Sequence, residues 1–303
     1  LVLLTAHGLA AALVLNLGDP AARQWLIDHI DNFLTKEGID LYQQDFNIKP
    51  LGYWRNTDAP DRQGITENQY VQGYLAYWDE LRRRRPGMLI DSCASGGRRN
   101  DLETLRRGVV MLRSDFNQPN DPSKANLDVG NQGQTYGLSF WVPFYGTGVN
   151  YDDVYAVRSH LTPSLIIICN PKKVDWALFK RRLDDWKTVA DDFLGDYYPL
   201  TPYSLSEDTW IAWQFNRPDA GQGMIQAFRR SHNGESLKQY KLRGLDAAAI
   251  YELRNLDLDE KHKLTGRALM EAGLPITLAT PRQAAIIVYH RFDAAVISPL
   301  LQK

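Results

Sequence analysis

The period of the hydrophobic pattern changes near Tyr198, and this change constrains the fold more than any other feature. Before it, short apolar runs alternate with stretches of helical periodicity such as residues 174–193. That alternation is typical of right-handed β/α units on a parallel sheet. After it, residues such as 210–215 alternate with period two between turn residues, which indicates antiparallel strands.

The pattern therefore predicts an α/β fold: a partial (β/α)8 TIM barrel over residues 1–197, followed by an antiparallel β-sandwich over 198–303. We count five β/α units after Ile39, whereas a closed barrel has eight. Barrel strands are predicted at residues 39–46, 88–93, 109–112, 138–144 and 164–169.

Helix signals support this division. Asp19 and Pro20 predict a helix start, and Gly38 its end. Thr66 and Gln69 predict a capping box for a second helix. By periodicity, four tryptophans are expected in cores: Trp176, Trp186, Trp210 and Trp213.

Composition excludes several functions. The 35 basic and 36 acidic residues leave a formal net charge of -1, so no field of one sign predicts a nucleic-acid or membrane partner. The basic run Arg82–Arg85 is interpreted as a solvated helix end. The histidines are scattered, and no cofactor or metal is implied. Cys93 and Cys169 exclude a disulfide framework, and we expect both to be reduced.

The apolar stretch Leu1–Leu17 does not fit a signal peptide, because no basic residue precedes Arg23. It is also short for a membrane span and is interrupted at His7. We interpret it as buried segments of a chain cut upstream, and the compartment stays open.

Two acids occupy positions that suit catalysis. Asp45 and Asp115 each end a predicted strand, and polar residues at the carboxyl ends of barrel strands face the active site. Two carboxylates there are what glycoside hydrolysis needs, although an aspartate at such a position can also simply cap the next helix. Segment 91–101 runs from a strand through two glycines and two arginines, which fits either a ligand loop or a tight turn with solvated arginines.

Three motifs in this order resemble glycoside hydrolase family 36, the α-galactosidases also called melibiases. The family's Lys-Trp-Asp-x-Asn corresponds to Gln43–Asn47, and its Cys-Ser-Gly-Gly-Gly-Gly-Arg-x-Asp to Cys93–Asp101. Its Trp-Thr-Ser-Asp corresponds to Leu112–Asp115. The resemblance covers about Leu13 to Tyr289.

The resemblance implies a retaining mechanism with Asp45 as nucleophile and Asp115 as acid/base, their carboxyl groups about 5–8 Å apart. The substrate is expected to be a carbohydrate, an α-galactoside. Candidate substrate-binding residues within the motifs are Gln43, Asn47, Cys93, Ser95, Gly96, Arg99 and Arg113. Trp141 is a candidate sugar-stacking platform, with a core aromatic as the alternative.

This sequence departs from the family pattern in two ways. Gln43 stands where the family usually has lysine, so a neutral amide replaces a charged donor. The resemblance also places Leu15 at the fourth barrel unit (so that strands 4–8 are present), and we expect this chain alone to be a poor catalyst. Its open strand edges would need covering by residues 1–14 or by a second copy, which makes a homo-oligomer an option.

Two alternatives to α-galactoside hydrolysis stay open. An α-N-acetylgalactosaminidase or a transglycosylase would share the scaffold and both acids. A non-catalytic sugar-binding protein would have kept the acids without the chemistry, and Gln43 favours this interpretation.

Overall fold

The structure is a computed structural model, and it describes residues 2–3, 14–116, 126–149, 151–167 and 169–292. The chain divides into two compact units, Leu1–Ser114 and Asp115–Lys303. The predicted domain boundary at Tyr198 falls inside the second unit and stays a prediction. Most of the apolar stretch at the start of the chain lies outside the described residues.

The first unit contains β/α elements. In chain order they are β1 (Val2–Leu3), β2 (Val14–Leu15), α1 (Pro20–Glu37), β3 (Leu41–Asp45), α2 (Leu51–Thr57), α3 (Ile65–Arg84), β4 (Leu89–Cys93) and α4 (Leu102–Leu105).

Helix α1 has the ends that the sequence predicts. The Asp19 carboxylate accepts the Ala21 N–H at 2.8 Å, and Gly38 ends the helix in the left-handed region with φ 65°. The capping box at Thr66 was wrong, because α3 begins at Ile65 and Thr66 lies within it. Asp58 accepts hydrogen bonds from the Gly64 N–H and the Thr66 hydroxyl, at 2.7 and 2.6 Å, and so supplies the cap from the preceding loop.

Strands β3 and β4 pair in parallel, with Asp45 opposite Cys93. Helix α3 covers one face of β3: Tyr77 donates to the Tyr42 hydroxyl at 2.9 Å, and the Trp78 indole donates to Gln44 at 2.8 Å. Because side chains alternate along a strand, the odd-numbered residues of β3 point to the opposite face, where they are exposed. In place of the predicted strand at 109–112 there are isolated bridges, and Val109 pairs in parallel with Asp91.

The second unit combines further β/α elements with an antiparallel domain. Its elements are α5 (Leu127–Leu138), β5 (Gly146–Val149), α6 (Val154–Ser159), β6 (Ser164–Ile167), α7 (Trp176–Val189), β7 (Asp196–Pro199), β8 (Trp210–Arg217), β9 (Gln222–Arg229), β10 (Leu237–Tyr240), β11 (Ile250–Asn255), β12 (Lys261–Thr265), α8 (Gly266–Glu271), β13 (Leu274–Thr277) and β14 (Gln283–Arg291), with 3-10 turns at Ala190–Leu194 and Pro218–Ala220.

The strand predicted at 138–144 was wrong. Those residues end helix α5 and form the loop after it, and the parallel partner of β6 is β5. Helix α5 escapes detection because its buried face is polar: Gln132 is fully buried and donates to the Tyr155 hydroxyl at 3.0 Å. The sequence Gly146–Val149 contains two glycines and so carries little strand propensity.

The antiparallel domain is a sandwich, as predicted. Its larger sheet has the order β12-β11-β14-β9-β8-β7, and β10 and β13 form the second layer. One face of the large sheet packs on that layer, and the other packs on α6 and the 3-10 turn before β7. Trp210 and Trp213 lie on opposite faces and are both buried, whereas Trp176 is 61% exposed and was wrongly expected in a core.

Two further observations concern membrane-spanning helices and the cysteines. Among the described residues, no helix combines the length and the apolarity that a membrane crossing requires. Cys93 and Cys169 are both reduced, as expected.

Asp192 carries a buried carboxylate in the 3-10 turn before β7, where it is 3% exposed. It accepts a hydrogen bond from the Gln222 amide at 3.1 Å, yet burial raises its pKa to about 6. The folded state therefore holds the proton more tightly than the unfolded state. This stabilisation is complete below the ordinary pKa of 3.8 and is lost as the pH rises through about 6.

We predict that Asp192→Asn raises the stability of this unit at pH 8 by about 2–3 kcal/mol, because asparagine keeps the acceptor and removes the buried charge. The gain should vanish near pH 4. Urea unfolding of parent and variant between these pH values measures it. Asp191→Asn, at an exposed neighbour, is the control, and an Asp192→Asn gain that does not vary with pH would contradict the assignment.

Candidate active site

The candidate site begins with Asp45, the last residue of β3. Its side chain is exposed and lies on the face of β3 that α3 does not cover. Gln43 is exposed on the same face, two residues earlier. The exposed face of β3 thus carries the Asp45 carboxylate at the end of the strand and the Gln43 amide two residues before it.

Two residues hold Asp45, one through its side chain and the other through its backbone N–H. The Asn47 amide donates to the Asp45 carboxylate at 2.8 Å, and the Ser95 N–H lies 3.3 Å from its other oxygen. Asn47 is itself held, since its carbonyl oxygen accepts from the Ser95 N–H at 3.0 Å and from the Ser95 hydroxyl at 2.8 Å. The loops after β3 and β4 are therefore joined through one amide side chain.

The backbone at Ser95 explains this geometry. Ser95 and Gly96 both have positive φ angles, 50° and 75°, which turns the chain sharply after β4. A left-handed serine is uncommon and costs about 1 kcal/mol relative to glycine, the residue that the family motif has at this position. The hydroxyl bond to Asn47 offsets that cost.

These contacts set the ionisation of Asp45. The Asn47 hydrogen bond is the largest cause that holds the pKa of Asp45 below its ordinary value, and the Cys93 thiol and the Ser95 N–H act in the same direction. Partial burial opposes them less strongly. Asp45 is therefore ionised at neutral pH, as a nucleophile must be.

A close backbone contact fixes the loop from its far side. A Cβ atom at Gly97 would lie 2.2 Å from the Arg113 carbonyl oxygen, so only glycine fits there. The same oxygen accepts a hydrogen bond from the Asn100 amide at 3.1 Å. The loop after β4 is thus anchored to residue 113, two positions before Asp115.

The other predicted site residues differ in how far their side chains are exposed. Arg113 is only 2% exposed, so its side chain is enclosed by protein. Arg99 stacks on the Phe46 ring, with its guanidinium carbon 4.0 Å from the ring centroid. Asp115 is exposed and is the first residue of the second unit.

Trp141 lies in the loop between α5 and β5, at the amino end of its strand. It is 44% exposed and lines a pocket with Phe193 and Tyr197. Barrel sites form at the carboxyl ends of strands, so this position gives no support to a role for Trp141 at the sugar site.

Sequence reasoning missed Asp91 in the middle of β4. This residue is 5% exposed, faces Gln43 in the strand register, and accepts the Met111 N–H at 3.0 Å. Burial raises the pKa of its carboxyl group. The sequence signal that could have revealed Asp91 is its acidic side chain within an otherwise apolar strand. In the described part of the chain, no group of three or more acidic, cysteine or histidine side chains could hold a metal ion.

Comparison with known structures finds the same fold in larger proteins. The chain superposes on the family 36 α-galactosidase AgaB from Geobacillus stearothermophilus with a TM-score of 0.78 and 21% identity, covering 96% of this chain and 41% of that one. AgaA from the same organism gives a TM-score of 0.76 at 20% identity, with the same coverage of each chain. These likenesses confirm the predicted class, a partial barrel followed by a sandwich.

Sequence comparisons give the family. Residues 6–127 match the sequence model described as melibiase, and residues 210–297 match the glycosyl hydrolase family 36 C-terminal domain. A probable α-galactosidase C of Aspergillus terreus is 24% identical over 304 residues, 92% of this chain and 36% of the relative. AgaA is 24% identical over 282 residues, 87% of this chain and 36% of the relative. The chain is therefore a family 36, α-galactosidase-like protein, and it spans little more than a third of the length of these relatives.

We predict that Asn47→Ala raises the pKa of Asp45 toward the ordinary aspartate value, because the variant lacks the strongest donor to the carboxylate. Carbon-13 NMR titration of the aspartate carboxyl groups measures the change. Asn68→Ala, which removes an exposed amide from α3, is the matched control and should leave the Asp45 titration unchanged. An Asp45 titration that Asn47→Ala does not shift would contradict the role of Asn47.

Proposed function

We propose that the native protein hydrolyses terminal α-galactosides with retention of configuration, by double displacement, and that Asp45 is the nucleophile. The observation that carries the proposal is the placement of Asp45: a carboxylate at the carboxyl end of a barrel strand, open to solvent and oriented by hydrogen bonds from Asn47 and Ser95.

The proposed reaction has two steps. The Asp45 carboxylate attacks the anomeric carbon as the bond to the leaving oxygen breaks, and Asp115 gives its proton to that oxygen. Asp115 then takes a proton from water, and the water oxygen displaces Asp45 from the anomeric carbon. Sugar contacts are assigned to Gln43, Asn47, Ser95 and Gly96.

The relatives support the substrate class. Structures of AgaA variants are described as complexes with raffinose and with stachyose, so that relative binds oligosaccharides. The chain covers 41% of those structures, and the carbohydrate partner and the activity are proposed for the native protein on this basis. Hydrolysis and glycosyl transfer share the first step and differ in whether water or a second sugar attacks the intermediate.

Gln43 favours a second candidate, a sugar-binding protein without turnover. A neutral amide replaces the lysine of the family motif, which removes a charged donor from the face that Asp45 occupies. Such a protein would bind raffinose and leave it intact.

We predict that Asp45→Ala lowers turnover of 4-nitrophenyl α-galactoside by about a thousandfold or more, because the covalent step is lost. Azide should restore part of the turnover and give β-galactosyl azide, since it attacks from the side that Asp45 occupied. Asp40→Ala, at the exposed acid before β3, is the control and should keep parent turnover. Parent turnover in Asp45→Ala would refute the assignment, and raffinose binding without turnover in the parent would favour the sugar-binding protein.

A further inference from the structure

Helix α5 contacts the residue that follows the candidate acid/base. Phe116 comes directly after Asp115 along the chain. The Asn131 side chain of α5 donates from its Nδ2 atom to the Phe116 carbonyl oxygen at 2.8 Å. Because the direction of a side chain depends on the backbone that carries it, a bond that fixes residue 116 also limits where the Asp115 carboxyl group can point.

Asn131 is a fully buried amide, and burial of a polar group is unfavourable unless hydrogen bonds compensate for it. Its Nδ2 atom also donates to the Leu127 carbonyl oxygen at 3.0 Å, one turn earlier in the helix. The Thr147 hydroxyl of β5 lies 3.4 Å from its Oδ1 atom. An apolar residue at this position would avoid the desolvation and would lack the donor to Phe116. The amide thus links residue 116 to the helix and to a barrel strand.

The ring of Phe116 is held by the same helix. It packs on Gly130, where a Cβ atom would lie 2.2 Å from the Cε1 atom of the ring. Alanine is a better helix former than glycine, so a glycine in the middle of a helix calls for a local reason. The contact with Phe116 supplies that reason at Gly130. Gly137 lies on the same helix, and a Cβ atom there would meet nothing within 4 Å.

The sandwich domain holds helix α5 on both sides of Asn131. Arg230, which follows β9, donates from its Nε atom to the Gln132 side chain at 2.9 Å. Arg282, which precedes β14, donates to the Asp128 carboxylate at 2.9 Å. These bonds lie three residues before Asn131 and one residue after it. The helix is therefore fixed at the point where it meets Phe116.

We propose that Asn131 is a positioning residue for Asp115: by binding the Phe116 carbonyl oxygen it directs the Asp115 carboxyl group toward the leaving oxygen of the substrate. The inference rests on the proposed function. A general acid must lie within hydrogen-bond distance of the atom that it protonates, and a small displacement lowers the rate strongly. Asn131 is fully buried and acts through Phe116, so its effect falls on the steps in which Asp115 moves a proton.

The dependence of the rate on the leaving group tests the proposal in the native protein. Methanol leaves the sugar only with a proton, whereas 2,4-dinitrophenolate leaves without one, so the methyl glycoside alone depends on the acid. We predict that Asn131→Leu lowers kcat/KM for methyl α-galactoside by about thirtyfold or more, and kcat/KM for 2,4-dinitrophenyl α-galactoside by less than about threefold. A merely structural role would lower both by the same factor. Asp115→Ala should show the same selectivity more strongly.

Two glycine variants of α5 provide a matched pair. Gly130→Ala forces the Phe116 ring to move and should lower kcat/KM for the methyl glycoside by about tenfold, again selectively. Gly137→Ala, which adds the same methyl group in open space, should leave both substrates unchanged. The Gly130→Ala result decides the question if Asn131→Leu does not fold.

The outcomes separate the two proposals. If Asn131→Leu lowers both substrates equally, or lowers neither, the positioning role is wrong, while selectivity in Asp115→Ala leaves the acid/base assignment intact. If Asp115→Ala also shows no selectivity, the acid/base assignment fails, and this inference fails with it. A native protein that hydrolyses neither galactoside would contradict the proposed function itself.

Discussion

The hydrogen bonds between Ser95 and Asn47 hold the candidate site together. They join the loops after two parallel strands, and both the N–H and the hydroxyl of Ser95 donate to a single amide oxygen. That leaves the Asn47 amide nitrogen directed at Asp45, at 2.8 Å. Because the strand register already sets Asp45 opposite Cys93, a small number of local contacts suffices to place the carboxylate and to lower its pKa.

The rest of the first unit supports this arrangement from behind. Helix α3 packs aromatic residues on one face of β3 and satisfies the polar groups of Tyr42 and Gln44. The opposite face of β3 stays open, since Leu41, Gln43 and Asp45 are all exposed, whereas β4 is exposed only at its first residue, Leu89. The division is a direct result of side-chain alternation: one face builds the core, and the other is left for chemistry.

The second unit is organised around a sheet that is buried on both faces. Its six-stranded sheet is covered on both faces, so Trp213 packs toward α6 while Trp210 packs toward the second sheet layer. Polar residues inside this sheet are satisfied in pairs, as when the Trp213 indole donates to Gln226 at 2.8 Å. Arg158 adds a buried charge that Asp257 neutralises.

The sequence by itself determined the features that depend on local chemistry. The ends of α1 follow from Asp19, Pro20 and Gly38, and the two fold classes follow from the change of hydrophobic period, because both signals act within a few residues. Only the tertiary structure decided which polar side chains are buried and which helix caps come from a different segment. The buried face of helix α5 carries amide side chains such as Gln132, so it lacks an apolar pattern. The N-terminal cap of α3 is supplied by Asp58, which lies outside the helix. The bond between Asn47 and Ser95 also arises only when β3 and β4 bring their following segments together, since residues 48 positions apart in sequence carry no common local signal.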